Sequence, residues 1–171
     1  MKQLEEENID QLLDIINLYP SIRIMQISDG SHLLSKKISQ LCEENEYEFQ
    51  LNCNSDIFYQ KSILKYADAD HVKVKLINLE QPRYAIQAKM YDYLFVSSTI
   101  PDAQKSSFLK KTYGAIKNAG IIILFVSKGE SAQHDLWTQL LEDNNFVATN
   151  ILDIFSNYDL IISKKMHGWG G

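Results

Sequence analysis

Residues Ile22-Arg-Ile-Met-Gln-Ile-Ser-Asp-Gly-Ser-His32 form an apolar run that ends in a turn and opens a helix. Strand, tight turn and helix in that order make the entrance of nucleotide-type cofactor sites, where the first N–H groups of the helix face a ligand. Gly30 stands in this turn, either to let backbone approach a cofactor or to serve a turn at positive φ. Ser28 and Asp29 precede it. His32 opens the helix, and an imidazole placed there could serve as a general base facing the site. His134 and Asp135 are a second titratable pair, but adjacent residues point to different faces of a helix and do not share one proton. The sequence contains no HExxH, P-loop, GxSxG or GxGxxG pattern, which disfavours the enzyme classes built on them.

The surrounding elements follow from hydrophobic periodicity. Leu4, Ile9, Leu12, Leu13 and Ile16 recur at helical spacing, so residues 3–18 read as an amphipathic helix ended by Tyr19-Pro20. Ile22–Ile27 is a strand, and Ser31 or Asp29 can cap a helix that buries Leu33, Leu34, Ile38 and Leu41. Tyr47–Cys53 is a short β-rich run, followed by a cap at Asn54-Ser55-Asp56 and a helix to about Tyr66. Val72–Leu79 alternates apolar residues with lysine, as a strand near a sheet edge does. Tyr91–Val96, apolar after Asp92, and Ile121–Val126, apolar throughout, read as central strands buried on both faces. Between them Ala103–Asn118 reads as a helix closed by Asn118-Ala-Gly120. Glu130–Asp143 is a last helix, and Phe146–Phe155 with Tyr158–Lys165 are two strands joined at Ser156-Asn157.

Alternating strands and helices imply a parallel sheet with helices on both faces, and a two-residue junction permits only an antiparallel pair. The expected fold is α/β: a doubly wound, mostly parallel, seven-stranded sheet with a C-terminal antiparallel hairpin. One domain over residues 1–171 is expected, with an N-terminal helix in 1–20, a core in 21–165 and a flexible tail in 166–171, whose Trp169 could pack on a neighbour.

Composition narrows the function classes. Apolar residues make up 45% and charged residues 23%, as in ordinary globular domains, and the net charge is −5. The Lys pairs at 36–37, 110–111 and 164–165 are too scattered for a phosphate track, so no nucleic acid is expected. No apolar run is long enough to span a bilayer and the N-terminus is polar and acidic, so no membrane contact and a cytoplasmic location are expected. Cys42 and Cys53 lack metal or redox spacing; no metal site is expected, and buried reduced thiols are the natural reading.

From Ile22 to Lys165 the chain resembles the class I, Rossmann-like S-adenosylmethionine-dependent methyltransferases. Three segments carry the likeness: Tyr91-Asp-Tyr-Leu-Phe-Val-Ser-Ser98 as the fourth strand, Phe108–Leu124 as the helix, turn and fifth strand with Lys117-Asn-Ala-Gly120 at the turn, and the final hairpin. The resemblance implies a cofactor site at Gln26, Ser28, Asp29, Gly30, His32, Asn52, Asn78 and Ser97. Gln26 stands where the family has an acid that holds the methionine amino group, with Asp29 able to restore a charge nearby. Ser28 and His32 stand at family glycines. Asn52, 22 residues beyond Gly30, stands at the carboxylate that bridges the ribose hydroxyls. Asn78, with Glu80, stands near the adenine amine. Ser97–Asp102 falls where the family places substrate and catalytic groups.

The resemblance implies S-adenosylmethionine as cofactor and in-line methyl transfer catalysed mainly by proximity. The chain lacks the Asn/Asp-Pro-Pro-aromatic motif of amino-methylating nucleic-acid and protein enzymes, which points to a small-molecule acceptor. Amides at three acid positions support the alternative of a non-catalytic chain that keeps the fold for partner binding or regulation. A homo-oligomer or protein partner fits either reading.

Overall fold

Ile24 and Met25 are neighbours on β1 (Arg23–Ser28) and are both fully buried, but against different layers. The period-two alternation of strand side chains sorts the whole interior this way. One layer holds Ile24, Phe49, Tyr93, Phe95 and Ile123, and the other holds Met25, Ile27, Leu94, Val96, Ile122 and Leu124. A strand buried on both sides has no polar face to offer, so helices must cover it twice. The computed structural model describes residues 1–168.

The elements in chain order are α1 (Glu6–Leu13), β1, α2 (His32–Glu44), β2 (Glu48–Cys53), α3 (Asp56–Lys65), β3 (Val72–Leu76), β4 (Tyr91–Ser97), α4 (Asp102–Tyr113), β5 (Ile116–Ser127), α5 (Ser131–Asp143), β6 (Phe146–Leu152) and β7 (Tyr158–Lys165). They build one seven-stranded sheet in the order β3-β2-β1-β4-β5-β7-β6, with β7 antiparallel to both of its neighbours. The doubly wound sheet and the terminal antiparallel pair are as the sequence predicts. Residues of α1, α2 and α3 join the first layer, and residues of α4 and α5 join the second. No helix among the described residues is long and apolar enough to cross a membrane.

Several boundaries differ from expectation. The N-terminal helix is Glu6–Leu13 rather than 3–18, because the chain leaves helical geometry for a turn at Asp14–Ile16. The third strand stops at Leu76, and residues 77–90 return to β4 without a helix, anchored by buried Ile77 and Tyr84. The strand expected to reach Phe155 ends at Leu152, so residues 153–157 form the final junction. The expectation for Trp169 lies outside the described residues.

The largest difference concerns Lys117-Asn-Ala-Gly120, which is a bulge inside β5 and not the end of a helix. The helix ends earlier, at Tyr113, with Gly114 as its C-cap. Tyr91 pairs with Ile116, and the next paired residue, Tyr93, opposes Ile121, so extra chain is taken up between them. Ala119 adopts φ 64° to close the bulge. Gly120 is required by close approach: a Cβ there would stand 2.5 Å from Ile116 Cγ2 and 2.9 Å from the Lys117 carbonyl oxygen. The bulge also brings the Lys117 ammonium to 2.8 Å from Asp92 Oδ2. Asp92 is nearly buried, and it also accepts hydrogen bonds from the Tyr19 hydroxyl at 2.8 Å and the Arg23 N–H at 2.9 Å. One carboxylate thus ties the amino-terminal ends of β1, β4 and β5.

Two outcomes test this account. Gly120→Ala should destabilise the fold by about 2 kcal/mol, read by urea unfolding, since the added methyl overpacks against backbone; an unchanged midpoint would contradict the close approach. Burial pushes the Cys42 thiol up to about 12 and the Cys53 thiol up to about 11, so neither is a thiolate at neutral pH. Ellman's reagent at pH 8 should therefore label neither thiol until denaturant unfolds the chain; rapid labelling of the native protein would contradict their burial.

Candidate functional site

The strand order places the chain's reversal between β1 and β4. From β1 the chain moves outward through β2 to β3, then returns to the other side of β1 as β4. The loops that follow β1 and β4 therefore diverge and leave a crevice at the carboxyl edge of the sheet, the place where open α/β sheets take ligands. A cavity of about 510 Å³ opens there between the ends of β2, β3 and β4. Its walls are apolar at Leu76, Ile77, Leu79 and Pro101 and polar at Asn54, Asn78, Thr99 and Gln104, with Asp56 and Glu80 completing the lining. Six of these ten residues are polar or charged, a more polar lining than the usual small-molecule site of this size.

Hydrogen bonds connect the loops across the crevice. Asn54 Nδ2 donates to Ser98 Oγ at 2.6 Å, and Ser98 Oγ donates to Asp29 Oδ2 at 3.4 Å. The Thr99 N–H also donates to Asp29 Oδ2, at 3.3 Å. The ends of β1, β2 and β4 are thereby fixed to one another. Along this rim Asn54 Oδ1, Gln104 Oε1 and Asp29 Oδ1 are buried acceptor atoms without a hydrogen-bond donor. An orphaned acceptor costs about 1–3 kcal/mol when no ligand or water satisfies it. Asn54 Oδ1 and Gln104 Oε1 stand ready for donors, whereas Asp29 Oδ1 already faces the Met1 nitrogen at 3.6 Å.

The residues singled out in the sequence separate into three groups. Gln26 and Ser97 lie beneath the crevice: Gln26 Nε2 donates to Ser97 Oγ at 2.8 Å, and Ser35 Oγ on α2 donates to Gln26 Oε1 at 2.8 Å. Both are fully buried and turned into the protein. Ser28 is also buried, and its Oγ accepts the N–H groups of Gly30 at 3.3 Å and Ser31 at 3.0 Å. Ser31 holds the N-cap position of α2 but makes no side-chain cap, and Ser28 instead fixes the turn that leads into the helix.

Asp29, Gly30 and Asn78 reach the carboxyl edge. Gly30 lies outside the positive-φ residues, and a Cβ added to it would meet nothing within 4 Å, so space stands open above it. Asn78 Oδ1 accepts from the Glu80 N–H at 2.9 Å while its residue lines the cavity.

His32 and Asn52 turn elsewhere. The His32 ring packs edge-on against Phe58 at 4.7 Å, and partial burial, with Lys65 and Lys61 nearby, pushes its pKa below the usual value. Asn52 faces the α4 side of the sheet, where its Oδ1 accepts from Gln50 Nε2 at 3.0 Å and Gln50 Oε1 accepts from the Tyr91 hydroxyl at 2.6 Å. His134 meets Asp159 at 3.3 Å rather than its neighbour Asp135. Ser98 lies in the Ser97–Asp102 loop expected to carry substrate groups, whereas Asn54 and Gln104 are ligand candidates that only the structure shows; Asn54 carries a signal, as the first polar residue beyond β2.

No protein-family model matches the chain, and no curated protein matches its sequence. Solved structures do match its fold, and that fold is the class I methyltransferase fold. The CurJ carbon methyltransferase superposes with a TM-score of 0.69 at 14% identity, covering 93% of this chain and 52% of that one. An S-adenosylmethionine-dependent O-methyltransferase from Thermotoga maritima gives 0.72 at 13% identity, over 100% of this chain and 69% of that one. A methyltransferase from Aquifex aeolicus dependent on the same cofactor gives 0.72 at 12% identity, over 91% and 88%. The chain spans about half the length of the CurJ domain.

If Gln26 is a buried brace, Gln26→Leu should cost about 2 kcal/mol in urea unfolding by removing one buried hydrogen bond each from Ser35 and Ser97. A variant as stable as the parent would show that the amide is not needed beneath the crevice.

Proposed function

We propose that the chain is an S-adenosylmethionine-dependent methyltransferase acting on a small-molecule acceptor, with the cofactor's nucleoside end in the cavity beyond β2 and β3. The observation that carries this reading is the pair of orphaned acceptors, Asn54 Oδ1 and Gln104 Oε1, beside apolar walls at the switch crevice of a methyltransferase fold. Ribose hydroxyls and an adenine amine are donors, and these residues offer acceptors without partners. Leu76, Ile77, Leu79 and Pro101 suit the faces of a planar base. Asp29 Oδ1 offers a negative partner to an ammonium where the crevice opens toward β1. The residues present therefore fit the group.

When bound, the cofactor supplies an electrophilic methyl on a sulfonium. The chain's own contribution is to bind and orient: Asn54 and Gln104 take the nucleoside, Asp29 the amino end, and the Asn54–Ser98–Asp29 bridge holds both at fixed separation. A recess of about 70 Å³ adjoins the end of β4, lined in part by Ser98, Thr99, Ser127 and Trp137. Its size suits a small acceptor held against the same loop, so that proximity and exclusion of water supply the rate.

A second reading has its own support. Ser28 uses the N–H groups of Gly30 and Ser31 internally, and Gln26 is closed off in the core, so fewer groups face a ligand than the fold allows. A chain of this kind would keep the fold for partner binding or regulation.

Calorimetric or thermal-shift titration with S-adenosylhomocysteine separates the two. Ligand at 100 times its dissociation constant should add about 2.7 kcal/mol, a shift of several degrees for a domain of this size. Asn54→Leu should weaken binding about tenfold by removing an acceptor and one strut of the rim. The absence of any shift at millimolar ligand would favour the non-catalytic reading.

A further inference from the structure

Residues 1–5 run along the carboxyl edge of the sheet, over the crevice just described. The Ser31 hydroxyl donates to the Met1 thioether at 3.2 Å, and the Met1 nitrogen lies 3.6 Å from Asp29 Oδ1. The Lys2 N–H donates to the Tyr158 hydroxyl at 2.6 Å. Leu4 is buried in the first core layer, and Glu5 Oε1 accepts from the Ser156 N–H at 3.2 Å. These anchors lie after β1 at one end and at the start of β7 at the other. In the strand order β1-β4-β5-β7 the segment must pass the ends of the two strands between them. Beneath residues 1–4 a cavity of about 300 Å³ extends to Gly30 and the first turn of α2.

We propose that residues 1–5 are an autoinhibitory strap, whose first residue holds the Asp29–Ser31 turn that the amino-acid end of an adenosyl ligand needs. This rests on the function proposed above. A ligand longer than a nucleoside leaves the 510 Å³ cavity along the crevice toward β1, and there it meets a strap already bonded to Ser31 and lying against Asp29. The strap is held by few polar tethers, two of which end on β7 and its preceding loop, away from the cavity. Lifting it costs those tethers, the Leu4 contact and the burial of the Met1 side chain, which is only 5% exposed, and it frees the turn.

The test uses two probes, S-adenosylhomocysteine and adenosine, on the full chain and on Tyr158→Phe, which removes one tether and keeps the ring in the core. Glu5→Gln serves as a second variant, weakening the other tether should the first fold poorly. Adenosine reaches only the nucleoside cavity, so its affinity should be the same in all three proteins. S-adenosylhomocysteine should bind each variant about fivefold tighter than the parent, the effect of one hydrogen bond removed from a competing state. In the parent it should also speed amide hydrogen exchange at residues 2–5. Equal or weaker binding of S-adenosylhomocysteine by both variants, with adenosine still bound, would overturn the strap alone. Slower exchange at residues 2–5 on binding would overturn it too, showing a lid that closes on the ligand. Failure of both probes to bind any of the three would remove the underlying function, and the strap with it.

Discussion

Gln26 is an uncharged amide with no exposed surface, set midway along β1 inside the sheet, and both of its ends must be satisfied from within. A buried amide without partners costs several kcal/mol, which few domains can spare. Its oxygen is met by Ser35 from α2 and its nitrogen by Ser97 from β4. Ser35 also donates to the Ser31 carbonyl oxygen, so the same cluster fixes the first turn of the helix. The consecutive elements β1 and α2 and the distant β4 are pinned at one point. The crevice above that point inherits its shape from this floor.

Around the crevice, floor and rim differ in how their polar groups are satisfied, although Asn52 Nδ2 and the Tyr66 hydroxyl inside the scaffold also have no partner. Floor residues Gln26, Ser28, Ser35 and Ser97 have their side chains paired inside the protein. Rim residues Asp29, Asn54 and Gln104 each keep an acceptor without a donor. Floor and rim are only a residue or two apart along β1 and β4. A strand advances about 3.3 Å per residue, so that short step separates a side chain that braces the core from one that meets a ligand.

The same spacing explains what could be read in advance. Strand and helix positions, the parallel sheet and its antiparallel last strand were legible, because the apolar periodicities of Tyr91–Val96, Ile121–Val126 and Tyr158–Lys165 leave few alternatives. Lys117-Asn-Ala-Gly120 misled because a bulge and a helix terminus use the same residues. Only the burial of Ile116 and the tight packing at Gly120 tell them apart. At the site, residue spacing found the correct edge and missed the depth. Asn52 and Asn54 share a parity on β2, but Asn52 is two residues short of the rim and bonds to Gln50, whereas Asn54 clears the strand end and reaches Ser98. The role of the first five residues depends on contacts to Ser31, Ser156 and Tyr158, which no local pattern announces.

Replacing carboxylates by amides affects the two ends of an adenosyl ligand differently. The nucleoside end is neutral, and an amide oxygen accepts from its hydroxyls and amine with about half the strength of a carboxylate but without a desolvation penalty as large. The loss there is modest and is offset by the apolar walls. The amino-acid end is cationic and needs a counter-charge held out of bulk water. Under the proposed function that charge is Asp29, on the rim above β1, fixed by Ser98 and the Thr99 N–H. Electrostatic selectivity therefore concentrates on one side chain. That side chain also lies against the strap, so cofactor choice and access to the site converge on the same carboxylate.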